Sequence, residues 1–323
     1  MRVFKAQIRP LSAFGTLPKG DTLFGQLCWA ARYRLGESRL IELLEGYTQG
    51  QPFAVLSDAF PLGYLPRPAL PGHWFRQVPG EDRKQVKKRV WLLCAHFNQE
   101  VTDWLKFCRM AQEVPGGAPF ARPQPHNSIN RQTGTTGQGF APYAMTQYWF
   151  DGWDEERNQP IEAKLEVYCL LDETRLDRQT LAHLLADIGT FGFGRDASIG
   201  LGKFQLEGLD EIDWLCQEGA NAYVTLAPCA PQGLGFVPER SFYQVFTRFG
   251  RHGDVAVLSG RPFKNPILLA QTGAVLTPQI YEPRQFVGQG LGGHGLLSKA
   301  IEETVHQGYA PTIGIRLLTR EAA

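Results

Sequence analysis

The sequence predicts an α+β protein whose first part is a β-α-β-β-α-β, ferredoxin-like unit carrying a long insertion, and whose second part is rich in short strands. Three observations support this. Residues 2–9 alternate apolar and polar side chains. Two later segments repeat apolar residues at helical spacing, each between strand-like runs. From residue 220 onward, short β-prone runs are separated by Gly and Pro.

In chain order, Phe4, Ala6 and Ile8 against Lys5, Gln7 and Arg9 give the period of two of a half-buried first strand. A loop follows, ending at Asp21, which is expected to cap a first helix bearing Leu23, Leu27, Ala31 and Leu35 and stopping before Gly36. Residues 53–57 read as the second strand and 161–171 as the third, with Ile161, Ala163, Leu165, Val167 and Cys169 on one face. Asp177 is expected to cap a second helix through Leu181, Leu184, Leu185 and Ile188, with Gly189 closing it. A glycine-rich stretch leads into a last strand over 201–206. The first domain thus spans 1–210 with its insertion at about 60–160. The second spans 220–323, with strand-like runs at 223–227, 242–248, 266–270, 274–276 and 313–318.

A chain of 323 residues is long enough for about two domains. Hydrophobic residues make up 43% and charged residues 20%, while Gly 35 and Pro 22 stay below the share that marks low-complexity chains, so a folded, turn-rich protein is expected. No stretch has the run of about 18 apolar residues needed to cross a membrane, and the N-terminus has no signal-peptide core, which points to the cytoplasm. The six cysteines form no C-x-x-C pair and have no histidine at zinc spacing, so reduced, mostly buried thiols are expected.

The net charge is +1, but it is unevenly placed. Residues 67–109 carry nine Lys/Arg against four Asp/Glu, and 240–264 carry five against one. Residues 151–187 carry four against ten, an acidic stretch expected to belong partly to a protein interface. The pattern suits a subunit that meets a polyanion on one side and protein on another.

The most informative motif is FGFGRDASIGLGKF at 191–204, with Gly192, Gly194, Gly200 and Gly202 spaced G-x-G-x(5)-G-x-G. Such a loop allows close backbone approach and presents N–H groups to an anion, with Arg195 and Lys203 adding charge. It follows a helix and precedes a strand, the reverse of a dinucleotide fingerprint, and Gly202-Lys203 does not continue into the Ser or Thr of a P-loop. A tight helix-to-strand connection is the plain alternative.

In this setting the loop resembles the signature loop of the RAMP superfamily of CRISPR-associated proteins. LSAFGTLPKGDTLFGQLCWA at 11–30 and HNSINRQTGTTGQGF at 126–140 are similar to segments of the subunit family, fourth of the Csm series, that caps the crRNA 5′ end in type III-A effectors. The C-terminal FKNPILLAQTGAVLTP, VGQGL and HQGYAPTIGI fit the same family. The resemblance implies two ferredoxin-like, RAMP-type domains. It also implies a non-catalytic role holding the repeat-derived 5′ tag, with the crRNA, target RNA, a large polymerase-like subunit and backbone RAMP subunits as partners. No cofactor, metal or membrane partner is implied.

Resemblance and charge together nominate an RNA-contacting set. It comprises Lys19 before the first helix, and Lys84, Lys87 and Lys88 in the basic run, a run that equally suits a solvated helix face. Asn127, Asn130 and Arg131 stand beside a Gly/Thr tip, where the resemblance implies a thumb-like hairpin that displaces a base and a mobile surface loop is the alternative. Gly192, Gly194, Arg195, Ser198, Gly200, Gly202 and Lys203 come from the glycine loop, and Arg248 and Arg251 from the second basic stretch. RAMP endonucleases that process precursor crRNA commonly use a histidine near the first strand and helix. Here the first histidine is His73, so no catalytic residue is nominated and the endonuclease remains the alternative. A lone His294 among glycines reads as structural.

Overall fold

Strand β1 (Arg2–Pro10) leads into helices α1 (Gly20–Leu35) and α2 (Glu37–Leu44) and strand β2 (Ala54–Pro61). The insertion follows, with β3 (Tyr64–Pro66), α3 (Arg83–Lys88), β4 (Trp91–Leu93), α4 (Trp104–Phe107), β5 (Cys108–Arg109), β6 (Phe120–His126), β7 (Tyr143–Trp149), β8 (Gly152–Asp154) and β9 (Gln159–Ile161). The chain returns through β10 (Leu165–Leu171), α5 (Arg178–Phe191) and β11 (Phe204–Glu211). It ends with β12 (Ala222–Thr225), β13 (Val245–Arg248), β14 (Ile267–Ala270), β15 (Val275–Leu276), β16 (Phe286–Gly292) and β17 (Val305–Ile315). This computed structural model describes residues 1–76, 80, 82–136, 139, 141–150, 152–154, 158–253 and 260–318.

The first sheet is antiparallel in the order β11-β1-β10-β2, so each helical connection, β1-α1-β2 and β10-α5-β11, passes over one intervening strand. That is the order of a β-α-β-β-α-β unit. Its alternation is visible in the burial of Phe4, Ala6 and Ile8, which join Leu23 and Leu27 of α1, Val55 of β2 and Leu181, Leu184 and Ile188 of α5 in one core. Strand β10 is buried along its whole length. Its Tyr168 points with Phe60 into a second core shared with Leu92 and Trp104 of the insertion and Val224 and Ile313 of the C-terminal half.

Several boundaries differ from expectation. The residue before α1 is Lys19, which makes no side-chain cap, and Asp21 lies inside the first turn, buried and ion-paired. Residues 161–171 are not one strand, since β9 pairs with β8 and β10 begins only at Leu165. Asp177 caps α5 by accepting from the Thr180 N–H at 2.8 Å, as expected. Gly189 does not close the helix. A Cβ there would stand 2.2 Å from the Phe204 carbonyl oxygen, so Gly189 serves the packing of α5 on β11, and Gly192 closes the helix at φ +96°.

The second sheet is antiparallel in the order β15-β12-β17-β16, a β-rich half as expected. Its topology is not that of the first sheet. In its own numbering the order is second-first-fourth-third, and the described residues after Phe191 hold no α-helix. The two sheets meet where the Gln307 amide of β17 bonds both backbone groups of Leu56 in β2, at 2.9 and 2.8 Å. No described helix is long and apolar enough to cross a membrane. All six cysteines are free thiols, buried or half-buried.

Candidate nucleic-acid interface

The glycine loop closes on itself and on the segment 11–16. The Phe193 N–H donates to the Gly202 carbonyl at 2.9 Å, and the Gly202 N–H to the Ala13 carbonyl at 2.8 Å. A Cβ on Gly202 would lie 2.0 Å from the Phe193 carbonyl oxygen, so only glycine allows this crossing, here at φ +72°. Gly194 abuts Thr16, whose hydroxyl accepts from the Arg195 N–H at 3.3 Å, and the Lys203 N–H donates to the Ser12 hydroxyl at 2.9 Å. Gly200, at φ +99°, faces open space.

This bonding revises the expected amide cradle. Most N–H groups of the loop are used in this way, and those of Gly194, Asp196, Ala197 and Ser198 keep no partner among the described residues. The Arg195 guanidinium donates to the Thr146 carbonyl of β7 and pairs with Asp196 at 3.1 Å. The Lys203 ammonium caps α5 by donating to the Thr190 carbonyl at 2.5 Å. What the loop exposes is Ser198 between two large apolar side chains, Phe191 at 72% and Ile199 at 68% exposure.

The hairpin β6–β7 rises beside the loop. Phe14 exchanges both backbone hydrogen bonds with Tyr148 of β7, each 2.8 Å, so the segment 11–16 is clamped between hairpin base and glycine loop. His126 and Tyr143 stack at 5.3 Å where the strands end. Asn127, Asn130 and Arg131 lie beyond them, roughly 10 Å or more along the hairpin from Thr146 at the usual rise per residue. Asn130 orders the tip, its side chain accepting from the Gln132 N–H at 2.9 Å. The fold therefore joins glycine loop, segment 11–16 and hairpin base in one surface and holds the tip residues at its far end.

Other nominated cations are placed differently. The Arg248 guanidinium is bidentate on Asp21, at 2.7 and 3.0 Å, and so has little left to offer a phosphate. Burial alone would push the Asp21 carboxyl up, but His306, at 3.2 Å, and Arg248 outweigh it and hold it below the ordinary carboxylate range. The Lys19 ammonium pairs at 2.7 Å with the buried Asp58. Arg251 lies over the exposed Phe263 ring at 5.8 Å. Lys84, Lys87 and Lys88 sit exposed on α3 and form no ion pair among the described residues.

Part of the acidic stretch's charge is engaged inside the chain. Glu162 pairs with Arg9 at 2.9 Å, Glu166 with Lys5 at 2.7 Å, Asp187 with Arg34 at 2.6 Å and Glu173 with Arg2. Glu155 and Glu156 lie outside the described residues. His294 adopts φ +49° in an exposed turn, a local conformational role. No cluster of three metal-ligating side chains occurs among the described residues. Ser12, Thr16 and Thr146 complete the surface without having been nominated; Ser12 and Thr16 lie in the segment 11–30 that carries the resemblance, while Thr146 has no sequence signal.

No protein-family model and no curated protein sequence matches the chain. Solved structures do. A crystal structure of a Csm1–Csm4 cassette in complex with pppApA matches over 98% of this chain and 99% of the other, at TM-score 0.58 and 17% identity. The same cassette in complex with cA4 matches at TM-score 0.59 and 17% identity, over 98% of this chain and 100% of the other. A Csm3–Csm4 subcomplex of a type III-A interference complex matches at TM-score 0.50 and 12% identity, over 95% and 99%. At these identities the likeness shows the fold alone, one found in Csm assemblies. More narrowly, this chain is Csm4-like in fold, Csm4 being the subunit common to all three, in agreement with the resemblance in its motifs.

Proposed function

We propose that the chain is a non-catalytic, crRNA-binding subunit of a type III, Csm-type effector, holding the repeat-derived 5′ tag and bridging the large polymerase-like subunit to the backbone RAMP subunits. The observation that carries this reading is the full-length Csm4-like fold with its glycine loop set against segment 11–16 and the hairpin base. On that surface Phe191 and Ile199 offer apolar faces for unstacked bases, and Ser198 a hydroxyl for the backbone. The target RNA is a further partner in this reading. Neither 9–36 nor 191–204 contains a histidine, so the loop has no general base of the kind RAMP endonucleases use.

Sequencing the RNA that co-purifies with the assembled complex tests the reading. Uniform 5′ ends derived from the repeat are expected, and these ends should become heterogeneous when the subunit is omitted. Random RNA fragments in both preparations would overturn it. Cleavage of repeat RNA by the isolated chain would move the assignment to a processing endonuclease.

A further inference from the structure

A groove of about 340 Å³ opens between the start of α1, the insertion and the C-terminal half, lined by Lys19, Asp58, Arg67, Trp91, Phe150 and Gln271 among others. Its one carboxylate is already balanced. Asp58 accepts from the Gly20 N–H at 2.8 Å, the Lys19 ammonium at 2.7 Å and the Thr272 hydroxyl at 2.6 Å. Arg67 is not balanced. It is half-buried, and among the described residues its guanidinium donates only to the Val86 carbonyl, at 3.2 Å, and no carboxylate pairs with it. Burial also pushes its guanidinium below the ordinary value, the direction expected of a desolvated cation lacking an anion.

The groove thus combines an uncompensated cation, the half-buried rings of Trp91 and Phe150 beside the buried Phe60, and the exposed amides of Gln244 and Gln271, in a volume at the small end of ligand pockets. Planar rings beside a cation, with amides at the rim, match the recognition of unpaired nucleotides, whose bases stack while their phosphates meet Arg. The location agrees. Segment 11–19 gives Ser12–Thr16 to the glycine loop and Leu17, Pro18 and Lys19 to the groove wall, so one strand could run along it from loop to groove.

We propose that this groove is a nucleotide subsite, taking one unpaired nucleotide of a single-stranded RNA with its base against Trp91 or Phe150 and its phosphate on Arg67. The proposal rests on the RNA-binding reading above and adds a second contact site to it. A free mononucleotide presents the same chemistry, so the test includes both sources.

Binding of 5′-labelled octauridylate and octaadenylate to the full chain, followed by anisotropy across a salt series, provides the test. Trp91→Ala should weaken binding by about tenfold with little change in salt slope, within the range for one stacked base. Arg67→Gln should weaken binding and reduce the slope by about 0.7, and Arg67→Lys should restore the slope. An octamer made abasic throughout should erase the Trp91→Ala effect. Melting temperatures identify a misfolded variant, in which case Trp91→Leu replaces Trp91→Ala and Arg67→Gln still decides. Variants binding like the wild type, beside a wild type that does bind RNA, would overturn the groove and spare the function. A wild type that binds no RNA would remove both. Uridine or adenosine monophosphate that binds through Arg67 without competing against the octamers would assign the groove to free nucleotides and overturn the RNA subsite.

Discussion

The first turn of α1 and the short helix α3 both bring cations together, under opposite conditions. At α1, Lys19 pairs with Asp58 and Arg248 with Asp21, each carboxylate buried. On α3, Lys84, Lys87 and Lys88 stand in solvent with no ion pair among the described residues. The glycine loop lies between these cases, because Arg195 is half-engaged by the Thr146 carbonyl yet remains exposed. The difference shows that a positive side chain reports on a polyanion only after the fold's own carboxylates have been subtracted. At α1 the charges are structural, on α3 they pair with no carboxylate among the described residues, and at the loop they are partly engaged.

The largest effect should come from breaking the structural side. Asp21→Asn leaves Arg248 and His306 around a site without its anion, and breaking a buried pair in this way costs about 3–5 kcal/mol. Chemical denaturation of both proteins measures it, and a loss below about 1 kcal/mol would contradict a clamp between α1 and the C-terminal half. The sign with pH follows from the depressed carboxyl. Its contribution is complete above the unfolded value of about 3.9 and is lost as pH falls through the lower folded value, so the gap between wild type and variant should close on acidification below about pH 4.

The next effect separates two glycines of one motif. Gly202→Ala meets the Phe193 carbonyl at 2.0 Å and must also hold a positive φ, so a loss of about 3–5 kcal/mol is expected. Gly200→Ala, in open space, carries only the φ strain of about 1–2 kcal/mol. Equal melting temperatures for the two would mean that the crossing of Phe193 and Gly202 is not what holds the loop.

These positions also show what was legible beforehand. The first sheet and its two helices could be read because their apolar residues recur with clean periods, as in Phe4, Ala6 and Ile8 or Leu181, Leu184 and Ile188. Strand β16, FVGQGLG, gave no such signal, since glycine holds alternate positions and its pairing with β17 supplies the order. Asp21 reads locally as a cap, and its true partners lie 227 and 285 residues away in sequence. Arg67 is written among prolines and apolar residues, and only the fold shows that it lines one groove with Trp91 and Phe150. Nor does spacing say which of four glycines is crowded.

Arg195→Ala tests the intermediate case. If the guanidinium reaches the tag phosphate from its place on β7, tag affinity should fall by about 1.5–3 kcal/mol, the range for a hydrogen bond to a charged group. Stability should change by less than about 1 kcal/mol, because the side chain is exposed. Unchanged affinity together with faster amide exchange in β6–β7 would make Arg195 a brace for the hairpin and nothing more.

The smallest effect on the fold should come from the available side. Replacing Lys84, Lys87 and Lys88 together with Ala removes three exposed charges that bridge nothing among the described residues, so stability should stay within about 0.5 kcal/mol of wild type. Helix α3 keeps its start, where the Asp82 side chain accepts from the backbone N–H of residue 84, a bond that does not depend on the lysine side chain. Any consequence should therefore appear in RNA binding alone. Each lysine that contacts a phosphate should reduce the salt slope by about 0.7, and affinity should fall alike for every RNA sequence, since phosphate contacts carry no base information. Titrations of two unrelated oligonucleotides across a salt series read both quantities. A slope that does not move would place α3 in solvent and confine RNA contact to the surface around the glycine loop and hairpin. A loss confined to one sequence would contradict a purely electrostatic role.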